Sequence, residues 1–286
     1  MVLVLVLAPF LQSGDIILYQ NIEFVRSQYY LMDIGHKRSL SFYQQSLPFD
    51  TSENTYGLIS SIHQSQYAWI LNDSLLTQGQ IFIYENGQGR LLTSIMGITL
   101  YDGSWAEDGQ SLYLLARLSP SLRDTVLLKV DLESAAYEIL FDNEIGEANP
   151  RIGGGALFIN QLDDRAEVRG FHLHRYSLDL AEDTLLHRQA TSPDVSPDGS
   201  VLAVIIDRDL YQLNLEDNSL EVLVNWPSIE GSPLWLPDGR SLIFSSDRSG
   251  DFNLYQLDLA SGQIDQLSFE GGFAPQWWPD RYPKRE

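Results

Sequence analysis

The sequence predicts an all-β fold made of repeated four-stranded units. Residues 192–199 read Ser-Pro-Asp-Val-Ser-Pro-Asp-Gly, and residues 232–239 repeat the phrase as Ser-Pro-Leu-Trp-Leu-Pro-Asp-Gly. The centres of the two copies, Val195 and Trp235, are 40 residues apart, and Trp277 follows 42 residues later. Short apolar runs separated by turn residues fill each interval, and no window shows helical periodicity. A period of this length is typical of a β-propeller.

The clearest copy of the repeat predicts one complete blade. Its Pro-Asp-Gly turn has a physical reason: proline presets φ, aspartate bonds its own backbone, and glycine accepts a positive φ. The segments 240–246, 252–259 and 264–268 then carry the β-branched, aromatic or alternating pattern of strands. We expect the repeat residues to be structural, with the tryptophans packing the innermost strand against neighbouring blades: Trp105, Trp235, Trp277, Asp198, Gly199, Asp238 and Gly239.

The same order of strands can be followed upstream, with further copies at residues 192–224, 149–189, 101–141 and 55–95. In the second of these, the Gly153-Gly154-Gly155 run takes the place of Pro-Asp-Gly and shortens the turn. Five blades are thereby accounted for.

The two ends of the chain supply a sixth blade. Residues 274–280 repeat only the first strand of the unit, and no further strands follow them. Residues 15–20, 28–34 and 39–44 read as three strands without a first strand. We therefore predict a six-bladed β-propeller of four-stranded antiparallel blades, closed by pairing of the C-terminal first strand with three N-terminal strands. Such closure removes exposed sheet edges.

The domain prediction is a single propeller over residues 13–286. Residues 1–12 are an apolar run that is too short to span a bilayer. Two interpretations remain open: the remnant of a signal peptide, which we favour, or an apolar arm packed on the propeller. No other segment reads as transmembrane, so we expect no membrane insertion of the mature domain.

The net charge of the chain restricts the classes of partner that we expect it to bind. The chain has 18 Lys and Arg against 39 Asp and Glu, a formal net charge of −21. Such a surface repels phosphate backbones and argues against nucleic acid. One interpretation is that this negative charge keeps a sheet-rich protein soluble. The alternative is that it forms a docking face for a basic partner or for divalent cations. Cysteine is absent, which excludes disulfides and cysteine-containing zinc sites.

No catalytic or metal motif stands out. Neither a Gly-x-Ser-x-Gly elbow nor a His-Glu-x-x-His helix motif is present. His172 and His174 share a strand face, but a polar blade face is preferred to a metal site there. Asp247, Asp251 and Asn253 form only a sparse set of calcium-type oxygen ligands. The prediction is therefore no catalytic residue, no metal and no cofactor.

The repeat resembles the TolB-type, WD-like β-propeller repeat. The resemblance lies in Pro-x-Trp-x-Pro-Asp-Gly, then Ser-Asp-Arg-Ser-Gly-Asp, then Leu-Tyr-Gln-Leu-Asp-Leu, and it is closest over residues 232–268. It implies a six-bladed propeller, here without the additional N-terminal α/β domain of TolB itself. TolB is a periplasmic component of an envelope system that binds partner proteins through its propeller. Related repeats also occur in serine peptidases and polysaccharide lyases.

Charged residues collect on one predicted face of the disc. Loops from second to third strands emerge on the same side as loops from fourth strands to the next first strand. Mixed charges around a channel mouth are suited to binding a partner. The candidate binding residues are Arg26, Asp73, Arg123, Asp164, Arg165, Asp207, Arg208, Asp247 and Arg248.

The function predicted from the sequence is a non-enzymatic scaffold that binds a protein or peptide. We expect it to be exported to the periplasm or the extracellular space and to be monomeric. The alternative is a carbohydrate- or peptide-active enzyme, a lyase or hydrolase, with its site at the channel mouth.

Overall fold

A computed structural model describes residues 16–23, 26–33, 38–42, 55–60, 66–73, 78–85, 88–118, 125–142, 147–163, 169–178 and 182–277. The apolar run at residues 1–12 lies outside these ranges. In the part of the chain that is described, the regular secondary structure is all β.

The strands follow the predicted repeat. The N-terminal strands are β1 (Ile16–Glu23), β2 (Arg26–Asp33) and β3 (Arg38–Phe42). The next four are β4 (Thr55–Ser60), β5 (Gln66–Asn72), β6 (Gln78–Glu85) and β7 (Gln88–Met96). They are followed by β8 (Thr99–Trp105), β9 (Ser111–Arg117), β10 (Thr125–Asp131) and β11 (Tyr137–Asp142). Then come β12 (Glu147–Gly153), β13 (Ala156–Asp163), β14 (Gly170–Ser177) and β15 (Asp183–His187).

The C-terminal part continues the same pattern. Its strands are β16 (Thr191–Val195), β17 (Val201–Ile206), β18 (Asp209–Asn214) and β19 (Leu220–Val224), then β20 (Glu230–Trp235), β21 (Ser241–Ser246), β22 (Asn253–Asp258), β23 (Ile264–Gln266) and β24 (Phe273–Trp277).

Each run of four strands forms an antiparallel sheet in chain order. The orders are β4-β5-β6-β7, β8-β9-β10-β11, β12-β13-β14-β15, β16-β17-β18-β19 and β20-β21-β22-β23. The remaining sheet has the order β24-β1-β2-β3, because Trp277 of β24 pairs with Ile17 of β1. The first strands of consecutive sheets contact one another from β4 through β8, β12, β16 and β20, and β24 contacts both β20 and β4.

The core lies between neighbouring sheets. Ile70, Leu114 and Val126, from two adjacent sheets, share one apolar cluster, and Val204 and Phe158 share another. The second strands read as continuous apolar runs because both of their faces are covered, as in β9, where six of seven residues are buried. Burial of these strands on both sides fixes the position of the loops that leave their ends.

A kink occurs at the same register position of four first strands. Asn149, Ser192, Ser232 and Ala274 adopt φ of 54°, 51°, 45° and 47°, and each is followed by a proline. In β12, β16 and β20 this residue falls where the pairing with the next strand shifts register, as in a β-bulge. The kink therefore recurs at the residue before the proline that opens the repeated phrase.

The observed bounds differ from the predicted ones mainly at strand ends. β7 (Gln88–Met96) ends one residue beyond the predicted copy at residues 55–95, and β12 begins at Glu147, two residues before the predicted copy at residues 149–189. Arg26 lies within β2 and pairs with Glu23 of β1. Among the described residues, no helix is long and apolar enough to cross a membrane.

Candidate functional site

One face of the molecule collects the loops between second and third strands and the segments that lead into the next first strand. The two kinds of loop touch: Glu230 N donates to Arg208 O at 2.8 Å, and Asp247 N donates to Ile229 O at 3.3 Å. We call this side the loop face. The opposite side, with the Asp-Gly turns and the third-to-fourth strand turns, is the turn face.

Five of the twelve exposed large apolar side chains among the described residues lie on the loop face. Those on its loops and adjoining strand ends are Met96 (71% exposed), Leu118 (42%), Trp226 (58%), Ile229 (37%) and Phe269 (74%). The other exposed large apolar residues lie within third or fourth strands: Leu91, Tyr137, Ile139, Phe171, Leu185, Leu220 and Val222. Large apolar side chains rimmed by polar groups are typical of interaction surfaces.

Arg248 forms the centre of a buried polar cluster on the loop face. Its Nη2 donates to Glu230 Oε1 at 3.1 Å, and its Nε donates to Ser246 Oγ at 3.0 Å. The guanidinium carbon also lies 5.2 Å from the ring centroid of Trp226 and 4.8 Å from that of Tyr255. Hydrogen bonds and contacts with aromatic rings together hold the guanidinium group in place.

Glu230 is the most deeply buried charge of this cluster. Its side chain is 0% exposed, against 11% for Arg248, and its Oε1 also accepts a hydrogen bond from Ser228 Oγ. Its Oε2 is buried without a hydrogen-bond partner. Because a buried charge is stable only when it is paired, Glu230 and Arg248 depend on each other.

The predicted rim residues turn out to have different environments. Asp207 and Arg208 are exposed and form the two-residue turn between β17 and β18, with φ of 50° and 78°. Asp73 and Asp247 instead accept backbone hydrogen bonds, from Gln78 N at 3.0 Å and Ile229 N at 2.7 Å.

Arg248 is not a solvated rim charge, because Glu230 and three aromatic rings enclose it. Arg26 lies in β2, with its side chain outside what is described. Arg123, Asp164 and Arg165 lie outside the described residues.

Asparagine side chains fix the chain where it passes from one sheet to the next. Asn72 donates to Leu100 O at 2.7 Å and accepts from Leu100 N at 2.8 Å. Asn160 likewise donates to Ala190 O and accepts from Ser192 N. These bonds tie each second strand to the backbone at the start of the next first strand, and so connect neighbouring sheets at the loop face.

A second polar cluster lies on the first strands. Asp194 Oδ2 accepts a hydrogen bond from Trp235 N of the next sheet at 2.7 Å, and its Oδ1 lies 3.6 Å from Arg151 Nε. Burial raises the pKa of Asp194 to about 6, opposed by Arg151 and by the Trp235 amide. Burial also raises the pKa of Asp102, opposed by Arg151 and by two backbone amides. One guanidinium thus acts on two partly buried carboxyls.

Two sheets before Asp194, Ser104 stands at the same position of the first strand β8. Its Oγ accepts from Ile152 N at 3.1 Å, as Asp194 does from Trp235 N. Trp105 Nε1 donates to Ile59 O of the sheet before it at 2.8 Å. Trp105 and Trp235 are buried, at 5% and 2% exposure, which agrees with their expected packing role. Trp277 lies in β24, with its side chain outside what is described.

The turn face is dominated by aspartates that are bonded to their own turns. Asp198 Oδ1 accepts from Ser196 Oγ and Ser200 N, and Gly199 has φ of 72°. Asp238 accepts from Arg240 N at 2.8 Å, and Gly239 has φ of 64°. Hydrogen bonds from serines hold the pKa of Asp198 and Asp258 below the usual range. These carboxylates serve the turns that the repeat predicts.

The histidine pair does not converge on a common ligand. His172 is 1% exposed and its Nδ1 accepts from Gln189 N at 3.0 Å, whereas His174 Nδ1 lies 2.9 Å from Asp183 Oδ1. The water-facing environment that we preferred for this pair is therefore wrong for His172, because its ring is buried and its Nδ1 binds the backbone of Gln189. No group of three or more His, Asp or Glu among the described residues could hold a metal ion.

Several site residues were not found from the sequence. Trp226, Glu230, Asp102, Arg151 and Asp194 owe their roles to neighbours from other strands or other sheets. A signal was nevertheless present for Asp194, since it stands in the repeated phrase where the next copy has Leu234. A partly buried carboxylate at a position where another copy has leucine indicates a specific partner.

The comparisons with known proteins agree with this architecture. Residues 183–282 match the family model described as "TolB beta propeller domain". The solved structure of TolB from Acinetobacter baumannii superposes with a TM-score of 0.71 at 15% identity, covering 92% of this chain and 66% of TolB. An oligogalacturonate lyase in complex with manganese superposes with a TM-score of 0.59 at 15% identity, covering 88% of this chain and 73% of the lyase.

A curated relative is the uncharacterized peptidase YuxL of Bacillus subtilis (strain 168). It is 31% identical over 113 residues, which are 35% of this chain and 17% of the relative. The chain therefore matches only a small part of that protein's length. The family resemblance expected from the repeated phrase is confirmed by the family model and by the TolB structure. Residues 183–282 thus match the TolB β-propeller model, and the chain as a whole has the fold of the TolB propellers.

Proposed function

We propose that residues 13–286 form one closed, six-bladed propeller that acts as an exported, monomeric binding scaffold in the periplasm or extracellular space. Pairing of β24 with β1 supports closure, as do the contacts of β24 with both β20 and β4. Closure gives the loops a fixed mutual arrangement, because every first strand is then held from both sides. A rigid frame with many loops on one side is suited to binding.

The function that the geometry supports best is recognition of a protein or peptide segment by the loop face. The observation that carries this proposal is the placement of Met96, Leu118, Trp226, Ile229 and Phe269 on loops and strand ends of that one face. Exposing such side chains to water is unfavourable, and a partner that covers them recovers the hydrophobic free energy. The turn face offers instead short acidic turns whose carboxylates are already bonded to their own backbone.

Selection of displayed peptides on the immobilised protein tests this proposal. We expect selected peptides to lose at least about tenfold in affinity for the double variant Trp226→Ala/Phe269→Ala. The matched control is Tyr137→Ala/Val222→Ala, which removes two comparably exposed side chains from fourth strands. Equal affinity for both double variants and the unchanged protein would show that binding does not involve the loop face.

The alternative function is an enzyme acting on a carbohydrate or peptide. It is favoured by the Asp102–Arg151–Asp194 cluster, because a carboxyl with a pKa near 6 is suited to acid–base chemistry. The superposition with oligogalacturonate lyase and the match to a peptidase lend it further support. Turnover of oligogalacturonate or of a peptide panel, abolished by Asp194→Asn, would establish this alternative and displace the scaffold.

A further inference from the structure

We propose that Trp226, backed by Arg248 and Glu230, is an anchoring site for a Lys or Arg side chain of a partner segment that also carries apolar residues. The inference rests on the proposed function and specifies the chemistry of the partner.

The indole of Trp226 is held as a platform. It stands in the segment between β19 and β20, it is 58% exposed, and the Arg248 guanidinium covers one face of its ring at 5.2 Å. Arg248 is itself fixed by Glu230 and Ser246. The ring is therefore supported from below while much of its surface stays open to solvent. A supported aromatic face loses little side-chain entropy when a ligand stacks on it.

The charges around the platform favour a cation. Arg248 is neutralised by Glu230, whose second oxygen remains unpartnered in the buried layer. Asp207 and Asp251 are exposed on the two adjoining loops, and Asp247 accepts a hydrogen bond from Ile229 N at 2.7 Å. Four carboxylates thus stand against two guanidinium groups, those of Arg208 and Arg248. An excess of negative charge next to an open indole face attracts an ammonium or guanidinium group.

Apolar side chains near the Trp226 ring would contact the apolar residues of the partner segment. Ile229 is 37% exposed and directly follows the Trp226 turn, and its backbone is bonded to Asp247. Phe252 and Phe273 are partly buried and meet edge to face, with centroids 5.6 Å apart, on the neighbouring loop and first strand. A segment that alternates cationic and apolar side chains would use both kinds of surface. An acidic segment would be repelled by the carboxylates around Trp226.

Two synthetic peptides test the anchor by calorimetric titration: a capped Leu-Lys-Leu-Lys-Leu peptide and the same peptide with glutamine at both lysine positions. We expect the lysine peptide to bind more tightly, and to lose about tenfold in affinity on Trp226→Ala but little on Trp226→Phe. Asp207→Asn/Asp251→Asn should weaken it about threefold and reduce its salt dependence. The control Glu133→Gln/Glu216→Gln removes the same charge from exposed residues on the turn face and should leave binding unchanged.

The outcomes separate this inference from the proposed function. Equal binding of the two peptides, with both weakened by Trp226→Ala/Phe269→Ala, overturns the cation anchor and leaves the loop face as a binding surface. Equal weakening by the loop-face and turn-face charge variants also overturns the anchor, because it shows that only net charge matters. Failure of both peptides overturns the anchor, and the proposed function falls only if the displayed-peptide selection also finds no loop-face binder. Thermal unfolding of each variant confirms that it remains folded.

Discussion

Asp194 of β16 contacts residues of both neighbouring first strands, β12 and β20. It bonds the backbone of the neighbouring sheet through Trp235 N, and it faces Arg151 from a position that is only 14% exposed. Water is excluded from one side of the carboxylate, so its charged form is disfavoured despite both partners. The raised pKa reflects that balance, and it gives the first strands a dependence on pH in the acid range.

Asp194→Asn tests this balance, since asparagine keeps an acceptor for Trp235 N but has no charge. The folded carboxyl has a pKa of about 6, against 3.8 for an ordinary aspartate. Its favourable contribution is complete below the unfolded pKa and is lost as pH rises to about 6. We expect the variant to gain stability relative to the unchanged protein between about pH 4 and 7, by on the order of 2–3 kcal/mol. Urea unfolding at several pH values measures this difference.

Asp258→Asn provides a control of opposite sign. Ser261 lowers the pKa of Asp258, so that carboxylate contributes stability above its unfolded pKa and loses it as pH falls. The variant should lose relative stability toward neutral pH. The same pH slope for both variants would contradict the assignment of the Asp194 shift to burial.

At the scale of elements, neighbouring turns interlock on the turn face. Glu107 Oε1 and Oε2 accept hydrogen bonds from Gly154 N at 2.8 Å and Gly155 N at 3.0 Å, which joins two consecutive first-to-second strand turns. The next turn follows closely, since a Cβ on Gly199 would lie 3.1 Å from Gly154 Cα. The turns therefore act as spacers between sheets as well as reversals of the chain.

Alanine substitution at two equivalent turn glycines separates conformational strain from this contact. Gly199 and Gly239 have similar positive φ, 72° and 64°, but the nearest atom to a Cβ on Gly239 is 4.0 Å away. Gly239→Ala should cost about 1–2 kcal/mol for the left-handed backbone alone. Gly199→Ala should cost at least about 1 kcal/mol more, because Gly154 must move. Equal losses in urea unfolding would show that the sheets are not in close contact at this point.

Local features of the fold could be predicted from the sequence, whereas contacts between residues that are distant in sequence could not. Strands and turns followed from period-two patterning and from Pro-Asp-Gly, because proline, aspartate and glycine act on their own backbone. The burial of Arg248 did not follow, since Glu230 is 18 residues away in sequence and is reached only through the arrangement of β20 to β22. Arg248 reads as one more polar turn residue until that partner is known. The exposure of Trp226 depends on a loop path that no pattern specifies.

At the scale of the whole molecule, β24 joins the two ends of the chain. Its pairing with β1 and its contacts with β20 and β4 connect sheets that are otherwise distant in sequence. Loss of this strand would expose one edge of β1 and one side of each neighbouring first strand. We therefore expect it to affect more of the molecule than any single substitution.

Truncation measures that contribution. Removal of residues 273–286 deletes β24, and we expect the product to lose cooperative unfolding or to aggregate. Removal of residues 278–286 leaves β24 in place and serves as the control. Thermal unfolding followed by circular dichroism compares the two. A sharp, unshifted transition for the longer truncation would contradict the role given to this strand.

The fourth strands bear on how the protein behaves at high concentration. Tyr137 and Ile139 on β11, and Leu220 and Val222 on β19, present alternating apolar side chains along edges of their sheets, with Glu138 and Glu221 between them. Mutual repulsion between strongly anionic molecules keeps such edges from meeting in solution. As acid neutralises the carboxylates, this charge repulsion weakens, and we expect folded molecules to associate through these edge strands.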